Sequence, residues 1–96
     1  MARAPNILLS PSGRYWGCVR KGIINVGLVE DGRREAPHEY VPREGHLIGT
    51  VAGRYRLTVE PCGRVVIYTV SLASDGTLLK ETSSARLALR YFMERI

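Results

Sequence analysis

Alternating apolar and polar residues predict antiparallel β-strands over most of this chain. The clearest alternation lies in residues 54–60, where Tyr55, Leu57 and Val59 share one face and polar side chains occupy the other. A strand of this kind has one buried face and one face in water. Residues 65–72 carry apolar side chains on both faces, so they predict a central strand.

Two segments of the chain resemble each other. Residues 13–32 and 53–76 both begin with Gly-Arg-Tyr and end near Asp-Gly. Each predicts two strands joined by a short turn, with the first pair at residues 14–20 and 23–30. The match predicts two similar β-hairpins. An internal duplication explains it, and so does the general frequency of these motifs at hairpins.

Shorter strands are predicted in residues 46–51 and 77–80. Residues 33–41 are compatible with an edge strand or an extended loop. Pro37 and Pro42 exclude a central strand in this segment, because proline cannot donate to the ladder.

Helical periodicity occurs only at the C-terminal end, in residues 82–96, with Thr82, Ser83 or Ser84 as the candidate N-cap. The apolar residues sweep roughly 240° of the helical wheel, whereas packing on one sheet requires a stripe of little more than about 100°. This surplus predicts either a sheet that curls around the helix or a second chain that covers it. The residues expected at such a homodimer or partner interface are Leu89, Phe92, Met93 and Ile96.

Together these elements predict an α+β fold, an antiparallel meander of about five to seven strands with one C-terminal helix packed on the sheet. The length of 96 residues suits a single domain, with residues 1–12 as a flexible N-terminal segment. No apolar run is long enough to cross a bilayer and no secretory signal is visible, so the cytoplasm is the expected location.

The charge of the chain changes this picture. Lys and Arg number 14 against 9 Asp and Glu, a formal net charge of +5, and twelve of the 14 basic residues are arginine. The planar guanidinium suits bidentate binding of phosphate, although a GC-rich coding sequence explains the same preference. The positive charge concentrates in residues 1–22 and 53–96, which predicts one basic face if the two segments converge.

The first strand combines arginine with the single tryptophan. An inward orientation of Tyr15, Gly17 and Val19 places Trp16 on the outside, between two arginines and close to Lys21. Arginines around an exposed aromatic ring are typical of proteins that stack single-stranded bases. Two alternatives remain: a register shifted by one residue buries Trp16 in the core, or Trp16 anchors a protein interface. The residues predicted to bind nucleic acid are Arg14, Trp16, Arg20, Lys21, Arg54, Arg56 and Arg64.

Residues 53–96 combine strand, strand, short strand and helix, with arginines on the wet side of the strand GRYRLTV. This order resembles the three-stranded sheet and helix of integrase arm-binding domains. The resemblance implies strand side chains that enter the major groove of DNA. The chain lacks the Trp-rich strand and the Ala-rich acidic helix of those domains, so no individual residue is carried over.

Catalytic chemistry finds little support. The two aspartates, Asp31 and Asp75, each precede glycine in a predicted turn, and turn geometry explains both. No nucleophile elbow, phosphate-binding loop or dinucleotide-binding motif is present in the sequence. We therefore expect a protein that is not an enzyme and binds no cofactor.

The candidate metal ligands are Cys18, His38, His46 and Cys62. They lack the close pairs that zinc sites use, so no metal is expected and the histidines should lie on the surface of a loop over residues 35–46. The cysteines are expected to be free thiols, with Cys62 the more exposed, and a disulfide between them is the alternative.

Two functions remain. The first is a small basic nucleic-acid-binding module that contacts the phosphate backbone through an arginine-rich sheet face. The alternative is a non-enzymatic protein-binding inhibitor or adaptor, such as a phage or mobile-element protein that blocks a host defence complex in the manner of an anti-CRISPR protein. Small size, the lack of catalytic residues and the surplus apolar helix surface favour this alternative.

Overall fold

The computed structural model describes residues 7–40, 48–52 and 54–96, which form two antiparallel sheets and one C-terminal helix. The predicted α+β class is therefore confirmed. The strands of the first sheet are β1 (Leu8–Leu9), β2 (Tyr15–Arg20), β3 (Ile23–Glu30), β4 (Arg33–Arg34) and β5 (His38–Tyr40). Those of the second sheet are β6 (Ile48–Ala52), β7 (Tyr55–Cys62), β8 (Val65–Leu72) and β9 (Leu78–Thr82). The helix, α1, spans Ala85–Met93.

The prediction of one meander with five to seven strands is wrong, because the described residues form nine strands in two sheets. The first sheet has the order β1-β2-β3-β4, with β5 also paired to β3, and the second has the order β6-β7-β8-β9. Both predicted hairpins are confirmed, β2–β3 in the first sheet and β7–β8 in the second. Alternation predicts which face of a strand is buried, but it does not specify which strands share a sheet.

Tight turns set the registers of the first sheet. Lys21 and Gly22 have φ angles of 53° and 76°, and Asp31 and Gly32 have angles of 52° and 73°. Positive φ at both central residues is the signature of a type I′ turn, whose twist matches that of the paired strands. Each turn therefore determines which residues of the returning strand share a face with the strand before it.

The predicted loop over residues 35–46 is partly a strand. His38–Tyr40 forms β5 and pairs with residues 24–26 of β3, so this part of the prediction is corrected. Pro37 and Pro42 do not prevent this pairing, because β5 lies between them and contains neither proline. Residues 41–47, and His46 with them, lie outside the described residues.

The N-terminal segment is built into the first sheet where the structure describes it. β1 pairs with β2, and Ser10 is buried with its Oγ atom 3.1 Å from the Tyr15 amide nitrogen, which donates to it. The Ser12 hydroxyl donates a hydrogen bond to the main-chain carbonyl of Ile96. The turn before β2 is therefore bonded to the chain three residues beyond the end of α1.

Helix α1 begins at Ser84, one of the three predicted caps, whose Oγ atom accepts a hydrogen bond of 3.3 Å from the Leu87 amide. The helix packs against strands of both sheets. One apolar core results, to which each sheet and the helix contribute. Its buried residues are Ile24, Val26, Leu57, Val59, Tyr68, Val70, Ala88, Leu89, Phe92, Met93 and Ile96.

The wide apolar surface of α1 is buried by other parts of the same chain. Leu89, Phe92, Met93 and Ile96 are 1%, 0%, 2% and 7% exposed. Their assignment to a homodimer or partner interface is therefore corrected: they are core residues, because a second sheet covers the surface that a single sheet would leave free. Leu87, at 50% exposure, is the large apolar side chain that the helix presents to water.

Candidate nucleic-acid interface

Strand β2 separates the core from the opposite surface of the first sheet. Tyr15 and Val19 pack against the core and Gly17 lies against α1, so the structure has the inward orientation of these three residues, one of the two registers that the sequence leaves open. Trp16 lies between them in sequence and therefore faces away from the helix. We call this opposite surface the outer face. On β1 to β4 and at Arg14 it carries Leu9, Arg14, Trp16, Cys18, Arg20, Ile23, Asn25, Gly27, Val29 and Arg34.

Trp16 is buried although it lies on the outer face. The side chain is only 7% exposed, its ring packs over Gly27 on β3, and its Nε1–H group donates a hydrogen bond of 3.0 Å to the Glu35 carbonyl. Base stacking and anchoring of a protein partner both require an accessible ring. The assignment of Trp16 as a stacking residue is therefore corrected, because the outer face is covered around it.

Arg34 and Arg14 flank Val29 of β3 on this face, with their backbones about 10 Å apart. Arg34 is the residue opposite Val29, and the Val29 amide donates a hydrogen bond of 2.8 Å to the Arg14 carbonyl. Residues directly opposite each other on paired strands share a face, so both arginines project on the side of Trp16. The Arg34 guanidinium carbon lies 5.6 Å from the centroid of the Trp16 ring, within the range of a cation–π interaction.

The predicted basic residues of the first hairpin divide between its two ends. Arg14 and Arg20 are both exposed and lie six residues apart, about 20 Å along an extended strand. Lys21 follows in the exposed turn. The outer face therefore has exposed basic residues at both ends, and the residues between them, Trp16 and Cys18, are buried.

Arg54, Arg56 and Arg64 are exposed on the second sheet. The structure does not bring them together, since the turn that contains Arg64 lies roughly 30 Å along the strand from Arg54. Glu60 shares the face of Arg56, so the charge of this surface is mixed. None of the three arginines lies on the outer face of the first sheet.

The arginines of the outer face make no ion pair with any described residue. Within the part of the chain that the structure describes, the one ion pair is that between Arg95 and Glu94, at 4.0 Å. The outer-face positions of β1 to β4 hold no acidic residue, whereas Glu39 on β5 lies opposite Asn25 and shares this face. Exposed guanidinium groups without a carboxylate partner are free to bind an external anion.

Both aspartates have roles in turns. Asp31 occupies a type I′ turn, as its φ angle of 52° shows. The Asp75 carboxylate accepts hydrogen bonds of 2.7 Å from the Thr77 hydroxyl and 2.9 Å from the Thr77 amide, and these hold the pKa of Asp75 below its usual 3.8. Turn geometry therefore accounts for both residues, as their sequence context predicted.

Cys18 is buried on the outer face, whereas Cys62 is exposed at the end of β7, and both are free. The predicted greater exposure of Cys62 is confirmed. Among the residues that the structure describes, no three His, Cys, Asp or Glu residues are grouped so that they could hold a metal ion.

The chain matches no known protein family, no curated protein and no solved structure. The order β7, β8, β9, α1 is the one expected for residues 53–96, but β6 adds a fourth strand, so this sheet differs from the three-stranded sheet of integrase arm-binding domains. In the described part of the chain, no helix is long and apolar enough to cross a membrane. The structural class is thus an α+β protein with two antiparallel sheets on one helix.

Arg34 is the site residue that the sequence analysis did not single out. The signal was present in the Asp-Gly pair at residues 31–32, which predicts a two-residue turn. Such a turn places Arg33 opposite Glu30 and Arg34 opposite Val29. Counting by two along β3 then places Arg34 on the face of Trp16.

Proposed function

We propose that the protein binds nucleic acid through the phosphate backbone and that the outer face of the first sheet is the contact surface. The observation that carries this proposal is the exposed pair Arg14 and Arg34, which flank Val29 at one end of the outer face and make no ion pair within the described residues. Guanidinium groups bind phosphate through paired, charge-assisted hydrogen bonds. The net charge of +5 also favours the approach of a polyanion.

The spacing of the cations supports contact with several phosphates. Arg14 and Arg34 stand at one end of the outer face, and Arg20 and Lys21 stand at the other. The separation of about 20 Å along β2 corresponds to about six phosphates of one strand at about 3.4 Å each. Because Trp16 is buried, the contacts are made to the backbone, and binding has little dependence on base sequence.

Salt-dependent binding tests the proposal. Fluorescence anisotropy of labelled single-stranded and duplex DNA, titrated between about 50 and 200 mM salt, gives the slope of log K against log salt. Four phosphate contacts predict a slope of roughly −3 to −4. Replacing Arg14 and Arg34 together by glutamine should weaken binding to every sequence and flatten the slope by nearly two.

The matched control replaces Arg54 and Arg56 by glutamine. This variant removes the same charge from the second sheet, so it should weaken binding less than the Arg14 and Arg34 variant does. Equal losses of affinity in the two variants would show that the outer face is not the contact surface. Absence of wild-type binding to DNA and RNA near about 50 mM salt would overturn the proposal, because phosphate contacts are strongest at low salt.

The protein-binding alternative loses one of the three observations that favoured it, since the surplus apolar helix residues lie in the core. Affinity purification from a native extract, with and without nuclease, separates the two functions. A nuclease-sensitive complex supports the proposal. A defined protein partner that survives nuclease treatment, from a chain that binds no purified nucleic acid, would favour the inhibitor or adaptor.

A further inference from the structure

We infer that Trp16 is a positioning residue, which holds the Arg34 guanidinium on the outer face, and that the ligand of this site is the phosphate chain without its bases. The inference rests on the proposed function and deepens it. It assigns the single tryptophan a role that requires burial, in contrast to the base-stacking role that an exposed ring would have.

The position of the Trp16 ring is determined by its neighbours. The ring packs over the backbone at Gly27, where a Cβ atom would stand 2.8 Å from the ring carbon Cε2. The hydrogen bond from Nε1 to the Glu35 carbonyl fixes the rotation of the ring about its side-chain bonds. A side chain held in this way presents one face to Arg34 in a single orientation.

Both contacts of the ring act on one short segment of main chain. Arg34 lies over the ring, and the next residue, Glu35, accepts its hydrogen bond. The Glu35 amide in turn donates a hydrogen bond of 2.8 Å to the Leu28 carbonyl on β3. The backbone that carries Arg34 is therefore tied to both β2 and β3.

A guanidinium held on a ring face keeps its N–H donors at the edge of the plane. Arg34 is exposed and makes no ion pair with a described residue, so those donors are available to an anion. A side chain that is already oriented loses less conformational entropy when it binds. Arg34 should accordingly contribute more to phosphate binding than Arg14, an exposed arginine of the same face that has no ring contact.

The ligand class follows from the burial of the ring. The aromatic surface of Trp16 is taken up by Gly27 and Arg34, so no base can stack on it. Recognition then depends on the charge and spacing of phosphates. Inorganic polyphosphate, which has no bases, should bind the same site and compete with DNA.

The experiment compares the loss of charge with the loss of the ring. Arg34→Gln removes one cation, so the salt slope on duplex DNA should become less steep by about 0.9. Trp16→Leu keeps every charge, so the slope should stay unchanged while affinity falls about two- to fivefold, the range that an exposed cation–π interaction implies. Trp16→Phe keeps an aromatic ring beneath Arg34 and should restore most of the affinity.

Two further measurements keep the test independent of the folding of the Trp16 variants. Arg34→Lys changes an exposed side chain and keeps its charge, so it should fold, retain the wild-type slope and lose affinity by a similar factor. The fluorescence of Trp16, the only tryptophan, should change when wild-type protein is titrated with inorganic polyphosphate. This change should be absent from Arg34→Gln.

The outcomes separate this inference from the proposed function. If wild-type protein binds nucleic acid but Arg34→Gln is no weaker than the matched Arg14→Gln, the positioning role is overturned and the proposed function stands. A fluorescence response to single-stranded DNA without one to polyphosphate would overturn the ligand class. If wild-type protein binds neither ligand, both the inference and the proposed function fail.

Discussion

Trp16 and Gly27 lie directly opposite each other on β2 and β3, and a Cβ atom at Gly27 would stand 2.5 Å from Trp16 Nε1. The same Cβ would stand 3.0 Å from the Glu35 carbonyl oxygen. We predict that Gly27→Ala displaces the ring and destabilises the protein by about 1–3 kcal/mol, the usual cost of overpacking a closely packed site. Urea unfolding followed by tryptophan fluorescence measures the loss, and the native emission should shift towards that of exposed tryptophan.

Gly17→Ala is the control for this change. The new Cβ at Gly17 would stand 3.1 Å from side-chain atoms of Leu89 and Met93 and 3.2 Å from the main-chain oxygen of Asn25, which are longer distances than those at Gly27. We expect a smaller loss of stability and an unchanged native emission. Equal emission shifts in the two variants would show that Gly27 is not what accommodates the ring.

The relation between Trp16 and Gly27 also shows how far the sequence predicts this fold. The alternation around Trp16 leaves two registers open, and the structure has the one with Tyr15 and Val19 on the core side. Alternation assigns a residue to a face, but burial depends on what covers that face, and Trp16 is buried on the outer one.

The helix illustrates the same limit. Its periodicity and its serine cap are visible in the sequence, and so is the excess of apolar surface. Whether a second sheet or a second chain covers Leu89 and Phe92 depends on the packing of segments distant in sequence. The site was partly predictable: Arg14 and Arg20 were identified, whereas Arg34 required the register of a third strand.

The corrected role of the helix residues leads to a stability prediction. Phe92 is 0% exposed, so Phe92→Ala should cost about 3–5 kcal/mol through lost burial and an internal cavity. Leu87→Ala, at a residue that is 50% exposed, should change stability by less than about 1 kcal/mol. Chemical denaturation of both variants at several protein concentrations provides the measurement.

A core residue and an interface residue differ in how their effects depend on concentration. The unfolding midpoints of wild-type protein and Phe92→Ala should be independent of protein concentration, since all contacts of Phe92 lie within the chain. If the unfolding midpoint of wild type rises with protein concentration and that of Phe92→Ala does not, Phe92 would belong to a subunit interface.

The β2–β3 turn contains a residue that is poorly suited to its backbone conformation. Lys21 has a φ angle of 53°, a left-handed conformation that asparagine adopts more readily than lysine. Lys21→Asn should stabilise the protein by up to about 1 kcal/mol, because the left-handed conformation costs most L-residues roughly 1–2 kcal/mol and asparagine adopts it more readily. Lys21→Gln removes the same charge without this preference and should not be stabilising, so thermal melts that rank the two variants equally would contradict the explanation.

The N-terminus of α1 depends on one hydroxyl group. Because Ser84 Oγ accepts the Leu87 amide proton, Ser84→Ala should cost about 1 kcal/mol, the usual loss for an N-cap serine. Ser83 is exposed and precedes the cap, so Ser83→Ala should stay within about 0.5 kcal/mol of wild type. Denaturation of the two variants under the same conditions compares them, and equal losses would place the functional cap elsewhere.

The turn at Asp75 should make a small, acid-sensitive contribution to stability. The Thr77 hydroxyl and then the Thr77 amide lower the pKa of Asp75 below 3.8 by donating to its carboxylate. A lowered pKa in the folded state means that the stabilisation is complete above the unfolded pKa and is lost as the pH falls through the folded one. Stability of wild type relative to Asp75→Ala should therefore be constant near neutral pH and shrink below about pH 4.

The hydroxyl donor can be removed while the carboxylate is kept. In Thr77→Val the Oγ1 donor, at 2.7 Å from Asp75 Oδ1, is replaced by a methyl group while the amide donor remains. The pKa of Asp75, measured by NMR titration of its side-chain carboxyl carbon, should rise towards 3.8 in this variant because the largest cause of its lowering is gone. Serine at the same position keeps the donor and should leave the titration at the wild-type value. An Asp75 carboxyl that titrates identically in wild type, Thr77→Val and Thr77→Ser would show that the Thr77 hydroxyl does not hold the carboxylate in solution.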